Sequence, residues 1–296
     1  LATVPPMTDP DTAQSTLQGT AAIITGGGSG IGLECARRLV ADGAAVTIMG
    51  RTESRLLDGV KVLEESAPTP GLVRHVMGDA KSEDDVRRAV EVATEATGGL
   101  DFAVASAGRG GLGPIIATPL EEWDDIIATN LTGTFLLFKH AGAAIAGTGG
   151  GSMVAISSIA GAVTHPFMGP YCVSKAGIDM LVRQTADELG RAGVRVNAVR
   201  PGIVETDLVS MIMDDEQVMA SYLENMPVSR PGNVDDVASV VRFLLGDESS
   251  WVTGTSVSVD GGHHLRRGPD FEPAARAFFG DDAVEGRIWP AGEGAR

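Results

Sequence analysis

Basic residues are scarce in this chain. Lys and Arg total 23 against 39 Asp and Glu, and the formal net charge is −16. A surface of that sign repels phosphate backbones, so a nucleic-acid partner is not expected. Cysteine is nearly missing: Cys35 and Cys172 are the two, and neither sits in a Cys-x-x-Cys pair. That argues against a disulfide framework and suits two reduced thiols in a cytoplasmic protein. No run of about eighteen apolar residues occurs, so no membrane span is expected. His165, His263 and His264 have no metal-ligand spacing around them, so no metal is expected. Aromatics make up 4% of the chain, which leaves packing to aliphatic side chains. The opening stretch LATVPPMTDPDTAQSTLQ has neither a basic segment nor an apolar one. Residues 1–17 are therefore expected to be a flexible lead-in and not a secretory leader.

What the chain does have is Ala, Val and Gly in a repeating alternation. Short apolar runs at 21–25, 44–50, 72–79, 101–108, 151–158, 194–202 and 255–262 predict strands. Helical periodicity separates them, at 53–65, 82–97, 120–146, 169–192 and 233–245, with Ser82 and Asn233 at helix starts. Near-continuous apolar strands between helices imply a parallel sheet buried on both faces. The expected fold class is α/β: a doubly wound, Rossmann-type, seven-stranded parallel sheet flanked by helices. One domain is expected over 18–262. Residues 263–296 are rich in Gly, Pro and charge and read as an extension lying on the surface or on a neighbouring subunit.

The turn TGGGSGIG (25–32) follows the first strand and opens the first helix. Such a turn lets backbone approach a pyrophosphate, and the helix N-terminus supplies N–H groups and partial positive charge. Thr25, Gly26, Gly28, Ser29, Gly30, Ile31 and Gly32 are its candidate cofactor-binding residues. The second strand ends TIMGRTESRL, with Gly50 where an acid would grip a ribose and Arg51 next. An Arg there accommodates a 2′-phosphate, so NADP(H) is the expected cofactor and NAD(H) the alternative. Asp79, closing the third strand, is placed to meet the adenine or to cap the following turn.

In GPYCVSKAG (169–177), Tyr171 and Lys175 are four residues apart and share one helix face. A free phenol has a pKa of about 10. Bringing it near neutrality takes about 4 kcal/mol. One ammonium at about 4 Å supplies about that much at an effective dielectric of about 20. Tyr171 is thus a candidate acid–base for an alcohol or carbonyl, with Lys175 as its expected modulator. Ser158, ending the fifth strand, is a candidate second donor to the substrate oxygen.

Taken together these residues resemble the classical short-chain dehydrogenase/reductase family over about 18–262. Thr25, Gly26, Gly30 and Gly32 match its glycine-rich turn, and Tyr171 and Lys175 match its Tyr-x-x-x-Lys pair. The resemblance implies Ser158 as catalytic serine and Asn130 as the helix asparagine of a water-linked proton relay. It extends the cofactor set to Ala80, Ala107, Gly108, Pro201, Gly202, Val204 and Thr206, alongside Tyr171 and Lys175. It also implies strand order 3-2-1-4-5-6-7, a homotetramer or homodimer, and nicotinamide chemistry without metal. One departure is Ser106-Ala107-Gly108, where the family has Asn-Ala-Gly.

The segment after Thr206 carries Met211, Met213, Met219 and Met226. The resemblance makes about 205–231 a lid over the substrate, and methionines adapt to irregular apolar ligands. Ile159, Phe167, Met168 and Met211 are candidate pocket residues. The expected substrate is a hydrophobic small-molecule ketone or secondary alcohol. An NAD-dependent alcohol dehydrogenase and an enoyl-thioester reductase are the alternatives. A nucleotide-binding regulator without turnover would be expected to lose Tyr171 or Lys175, and both are present.

Overall fold

The computed structural model describes residues 17–209, 213–266 and 270–287. Seven strands form in the expected places: β1 (Ala21–Thr25), β2 (Ala45–Gly50), β3 (Val73–Met77), β4 (Phe102–Ala105), β5 (Gly151–Ile156), β6 (Val194–Pro201) and β7 (Ser256–Val259). All neighbours pair in parallel. The order is β3-β2-β1-β4-β5-β6-β7, as the resemblance implied. The chain leaves β1 in one direction across the sheet and resumes at β4 in the other. The strand ends therefore part between β1 and β4, where a doubly wound sheet offers its ligand crevice.

Helices cover both faces. On one lie α1 (Gly30–Ala41), α2 (Glu53–Ser66) and, later in the chain, Val234–Leu245; on the other lie α3 (Glu83–Glu95), α4 (Leu120–Ile127), α5 (Gly133–Gly147) and α6 (Gly169–Leu189). A further helix, α7 (Glu216–Asn225), follows the sixth strand, so Val234–Leu245 is α8. Each face buries its own aliphatic layer. Ile23, Leu137 and Met153 belong to one layer, and Ile24, Ile48 and Leu244 to the other. Local chemistry sets the helix starts. Ser82 accepts from the Asp85 N–H, and Asn233 with Asp236 forms a reciprocal capping box.

The structure departs from the sequence expectation in two places. The single helix expected over 120–146 is interrupted: residues Ala128–Thr132 form a wide π-type turn between α4 and α5. Such bulges leave the backbone ladder of a helix locally disturbed and frequently sit at functional sites. Here the wide turn carries the fully buried Asn130. The second departure is the chain's last part. After β7 it forms α9 (Glu272–Phe279), and Phe271 is buried against Ile203, Val218, Tyr222 and Met226. The extension packs on the segment expected to be the lid because its few large apolar residues find an apolar face there. Among the described residues no helix is long and apolar enough to cross a membrane.

Candidate active site

The glycine-rich turn is shaped by close approach of backbone to backbone. Gly26 has a φ of +69°, and a Cβ there would lie 2.8 Å from the Ala107 amide nitrogen. A Cβ on Gly32 would strike the Gly26 carbonyl oxygen and meet Ser106 Oγ at 3.1 Å. The β1 exit, the β4 exit and the first turn of α1 are thereby pressed together. Ser29 stands at the N-cap of α1 yet makes no side-chain capping bond. Its first-turn N–H groups thus lack the usual side-chain partner.

A cleft opens in front of this turn. One half is lined by Thr25, Gly26, Gly28, Ser29, Arg51, Asp79, Ala80, Ala107 and Gly108. The other half is lined by Gly30, Ile31, Ser158, Tyr171, Lys175, Pro201, Gly202, Val204 and Thr206. These expected residues are brought together. Gly32 is not on the cleft wall; it is buried inside α1 and acts through packing. Asp79 lines the cleft, and its Oδ1 accepts from the Lys81 N–H at 3.0 Å, which is the turn-capping role weighed for it.

Tyr171 and Lys175 project from the first turns of α6, where Pro170 is tolerated because an N–H there has no intrahelical acceptor to lose. Lys175 is buried, and its Nζ donates to the Ile156 carbonyl oxygen at 2.8 Å. It lies 5.5 Å from the centre of the Tyr171 ring. Burial holds the ammonium down at a pKa of about 8, against a weaker opposing pull from Asp179. Burial likewise pushes the Tyr171 phenol above its ordinary value, and a hydrogen bond with Ser158 only partly offsets it. This corrects the expectation that Lys175 alone brings the phenol toward neutrality. Desolvation is the largest influence on the phenol, so the resting phenol stays protonated.

Asn130 does not line the cleft but stands directly behind it. Its Oδ1 accepts from the Arg109 N–H at 2.8 Å, and its Nδ2 donates to the Arg109 carbonyl and to Ser174 Oγ, each at 3.0 Å. Ser174 in turn donates to the Tyr171 carbonyl at 2.7 Å. The wide turn, the loop after β4 and the start of α6 are tied into one unit.

Of the expected pocket residues, Ile159 and Met168 line a small apolar hollow beside Ser158 and Tyr171. Phe167 does not; it packs with the cluster around Tyr222 and takes a φ of +67°, outside the usual range for a side-chain-bearing residue. Met211 lies outside the described residues. Sequence reasoning missed Arg55, Arg109, Thr129 and Tyr222, all of which line the cleft or the hollow. Arg55 had a signal, since it is a second basic residue four positions after Arg51, in the first turn of α2. Arg109 is held by Glu122 and by a short ion pair with Asp125, contacts that only the tertiary structure makes.

A family model described as enoyl-(acyl carrier protein) reductase matches residues 26–264. The chain belongs to the short-chain dehydrogenase/reductase family. A short-chain type dehydrogenase/reductase from Mycobacterium ulcerans is 42% identical, with a TM-score of 0.89, and the match covers 92% of this chain and 100% of that one. Dehydrogenase/reductase SDR family member 4 of Bos taurus is 35% identical over 83% of this chain and 88% of its own length. The 2-(S)-hydroxypropyl-CoM dehydrogenase 3 of Xanthobacter autotrophicus is 36% identical over 81% and 94%. This short-chain dehydrogenase/reductase is accordingly an NAD(P)-dependent oxidoreductase.

A stability test follows from the buried ammonium. Unfolded, Lys175 titrates at the ordinary 10.5; folded, at about 8. Between those values the unfolded chain binds more protons, so stability rises with pH across that window. The expected contribution is up to about 3 kcal/mol. Denaturant unfolding of Lys175→Met should lack this rise, whereas an identical slope in both proteins would refute the desolvated ammonium.

Proposed function

We propose that the chain reduces the carbonyl of a hydrophobic small molecule with NADPH, Tyr171 delivering the proton. The observation that carries this reading is the convergence of Tyr171, Ser158 and Lys175 on the part of the cleft adjoining the glycine-rich turn.

The cleft fits a dinucleotide on its own evidence. The α1 N-terminus has no side-chain cap, and anions are favoured at such a position. Thr129 lines the first half of the cleft, and its Oγ1 is buried without a hydrogen-bond partner among the described residues. A buried hydroxyl left so is costly unless a ligand meets it. Gly26, Gly28, Ser29, Gly30 and Ile31 would hold the pyrophosphate. Asp79 and Ala80 would border the adenine, with Ala107, Gly108, Pro201, Gly202, Val204 and Thr206 along the nicotinamide end. Arg51 is exposed at the end of β2, and Arg55 faces the same half of the cleft. Arg55 pairs with Asp207 at 3.4 Å, both side chains open to solvent, so the pair is weak and easily exchanged. Two guanidinium groups beside a second strand that ends in Gly50 and not in an acid favour the 2′-phosphate of NADP(H) over NAD(H).

The bound nicotinamide supplies or accepts the hydride. Ser158 holds the substrate oxygen by hydrogen bonding. Tyr171, protonated in its buried surroundings, gives its proton to that oxygen as the carbonyl becomes an alcohol. Lys175 compensates the phenolate left behind, and Asn130 keeps the Tyr171 helix and the loop after β4 in register. In the reverse direction the same phenolate would take the alcohol proton. Reduction of a C=C bond is the second reading, suggested by the description of the matching family model. Ser158 beside Tyr171 favours C=O, since it gives the oxygen two donors.

The exposed Phe135 on α5 and Val173 and Met180 on α6 support association with a second copy through these helices. The exposed Phe243 on α8 and Trp251 near β7 offer a second such face, as a homotetramer would need. A cytoplasmic location agrees with the free thiols of Cys35 and Cys172.

Tyr171→Phe is expected to lower kcat for ketone reduction by about 100-fold or more, with NADPH affinity within about threefold of the parent. Normal turnover in that variant would sink the mechanism. Arg51→Ala should weaken NADPH binding by about tenfold, in calorimetry, and leave NADH nearly unchanged. Equal losses for both would make Arg51 a mere surface charge. Light scattering should return a dimeric or tetrameric mass; a monomer at micromolar concentration would remove the association.

A further inference from the structure

The hollow beside Tyr171 is not purely apolar. Among Ile159, Met168, Ile203 and Val209 it carries two rings with polar tips, His165 and Tyr222. His165 is buried, and its Nδ1 lies 3.0 Å from the Val163 carbonyl oxygen. A carbonyl only accepts, so Nδ1 carries the proton and Nε2 is left as an acceptor. Burial, with His263 nearby, also holds the imidazole below its usual pKa, which keeps Nε2 unprotonated near neutrality. Tyr222 is buried on α7. Neither ring belongs to the Ser–Tyr–Lys set, and burying two such polar groups at the mouth of an apolar hollow is costly without a partner.

Both rings are fixed from behind by the C-terminal extension. His263 meets Tyr222 edge to face at 5.4 Å and His165 at 6.1 Å, and Phe271 meets Tyr222 at 6.4 Å. The extension is latched to α7 as well. Arg266 donates to the Glu224 carbonyl at 2.5 Å, and the Asp270 N–H donates to Ser221 Oγ at 3.2 Å. Farther on, Phe279 of α9 closes on Gly113 at the other side of the site, within 3.1 Å of where a Cβ would be. The family model stops at residue 264, so Phe271 and Phe279 lie outside the residues that it matches.

We infer that His165 and Tyr222 are specificity-determining residues, held in place by the C-terminal extension of the same chain, and that the substrate is an apolar ketone carrying a second, neutral hydroxyl group. The inference rests on the carbonyl-reductase reading and narrows its substrate class. The ketone oxygen sits at Ser158 and Tyr171. The distal hydroxyl donates to His165 Nε2 and accepts from Tyr222, so a purely hydrocarbon ketone leaves both rings unpaired.

The test compares α-tetralone with its derivative hydroxylated on the ring carbon farthest from the ketone. Binding of each to the NADPH complex is measured by calorimetry, and turnover is measured separately. The wild-type chain should bind the hydroxylated ketone about tenfold more tightly, the worth of one buried hydrogen bond. His165→Phe and Tyr222→Phe should each erase most of that preference while α-tetralone binding stays within about twofold. Phe271→Ala should erase it too, with its folding checked by thermal unfolding. Equal affinities in the wild type, or a preference surviving both ring substitutions, overturns the inference. No binding of either ketone also overturns it. A preference kept in folded Phe271→Ala removes the extension's part. Preferential binding without reduction would leave these residues as the hydroxyl site and overturn the carbonyl-reductase reading instead.

Discussion

The rest of the site depends on how closely three pieces of backbone approach at the exits of β1 and β4. Gly26 lies against Ala107, and Gly32 lies against the Gly26 carbonyl. No side chain fits between them. That contact sets the height of the α1 N-terminus above the sheet and so the floor of the cleft. It also places Gly108, whose Cα neighbourhood reaches Asn130 Oδ1 at 3.3 Å and Lys175 Nζ at 3.8 Å from a notional Cβ. The glycine-rich turn and the Tyr171–Lys175 pair, 139 or more residues apart in the chain, are thus two faces of one packed junction.

Desolvation is the second organising force. Lys175 is buried and answers to the Ile156 carbonyl, while Tyr171 is pushed toward its protonated form. Coulomb attraction between the two looked sufficient in isolation, but removing both groups from water acts against charge on either. A protonated phenol is ready to give a proton to a carbonyl. Taking one from an alcohol requires further positive charge in the cleft, which an oxidised nicotinamide would contribute.

The part of the chain beyond the last strand packs back onto the domain through Phe271. The cluster of Ile203, Val218, Tyr222 and Met226 would leave an apolar face open, and Phe271 covers it. Burial of large side chains of this kind is worth about 2 kcal/mol each, enough to hold a short helical extension that has little helix-forming strength by itself.

The sequence by itself determined the class of fold and the chemistry-bearing residues. Strand runs of Val, Ile and Ala, separated by helical periodicity, call for a parallel sheet covered on both faces, as in a doubly wound fold. The turn at 25–32 and the Tyr171–Lys175 spacing are local patterns, readable because neighbours three or four residues apart share a helix face. Tertiary structure decided what depends on distant groups. The interrupted helix at Asn130 exists because its amide meets Arg109 and Ser174, 21 and 44 residues away. The site of Phe167 in the cluster around Tyr222, the role of Gly32 as a packing residue, and the company of His165, Tyr222, His263 and Phe271 have the same origin. So do the proton affinities of Tyr171 and Lys175, because a pKa reports the surroundings brought in by the whole fold, and composition along the chain does not specify them.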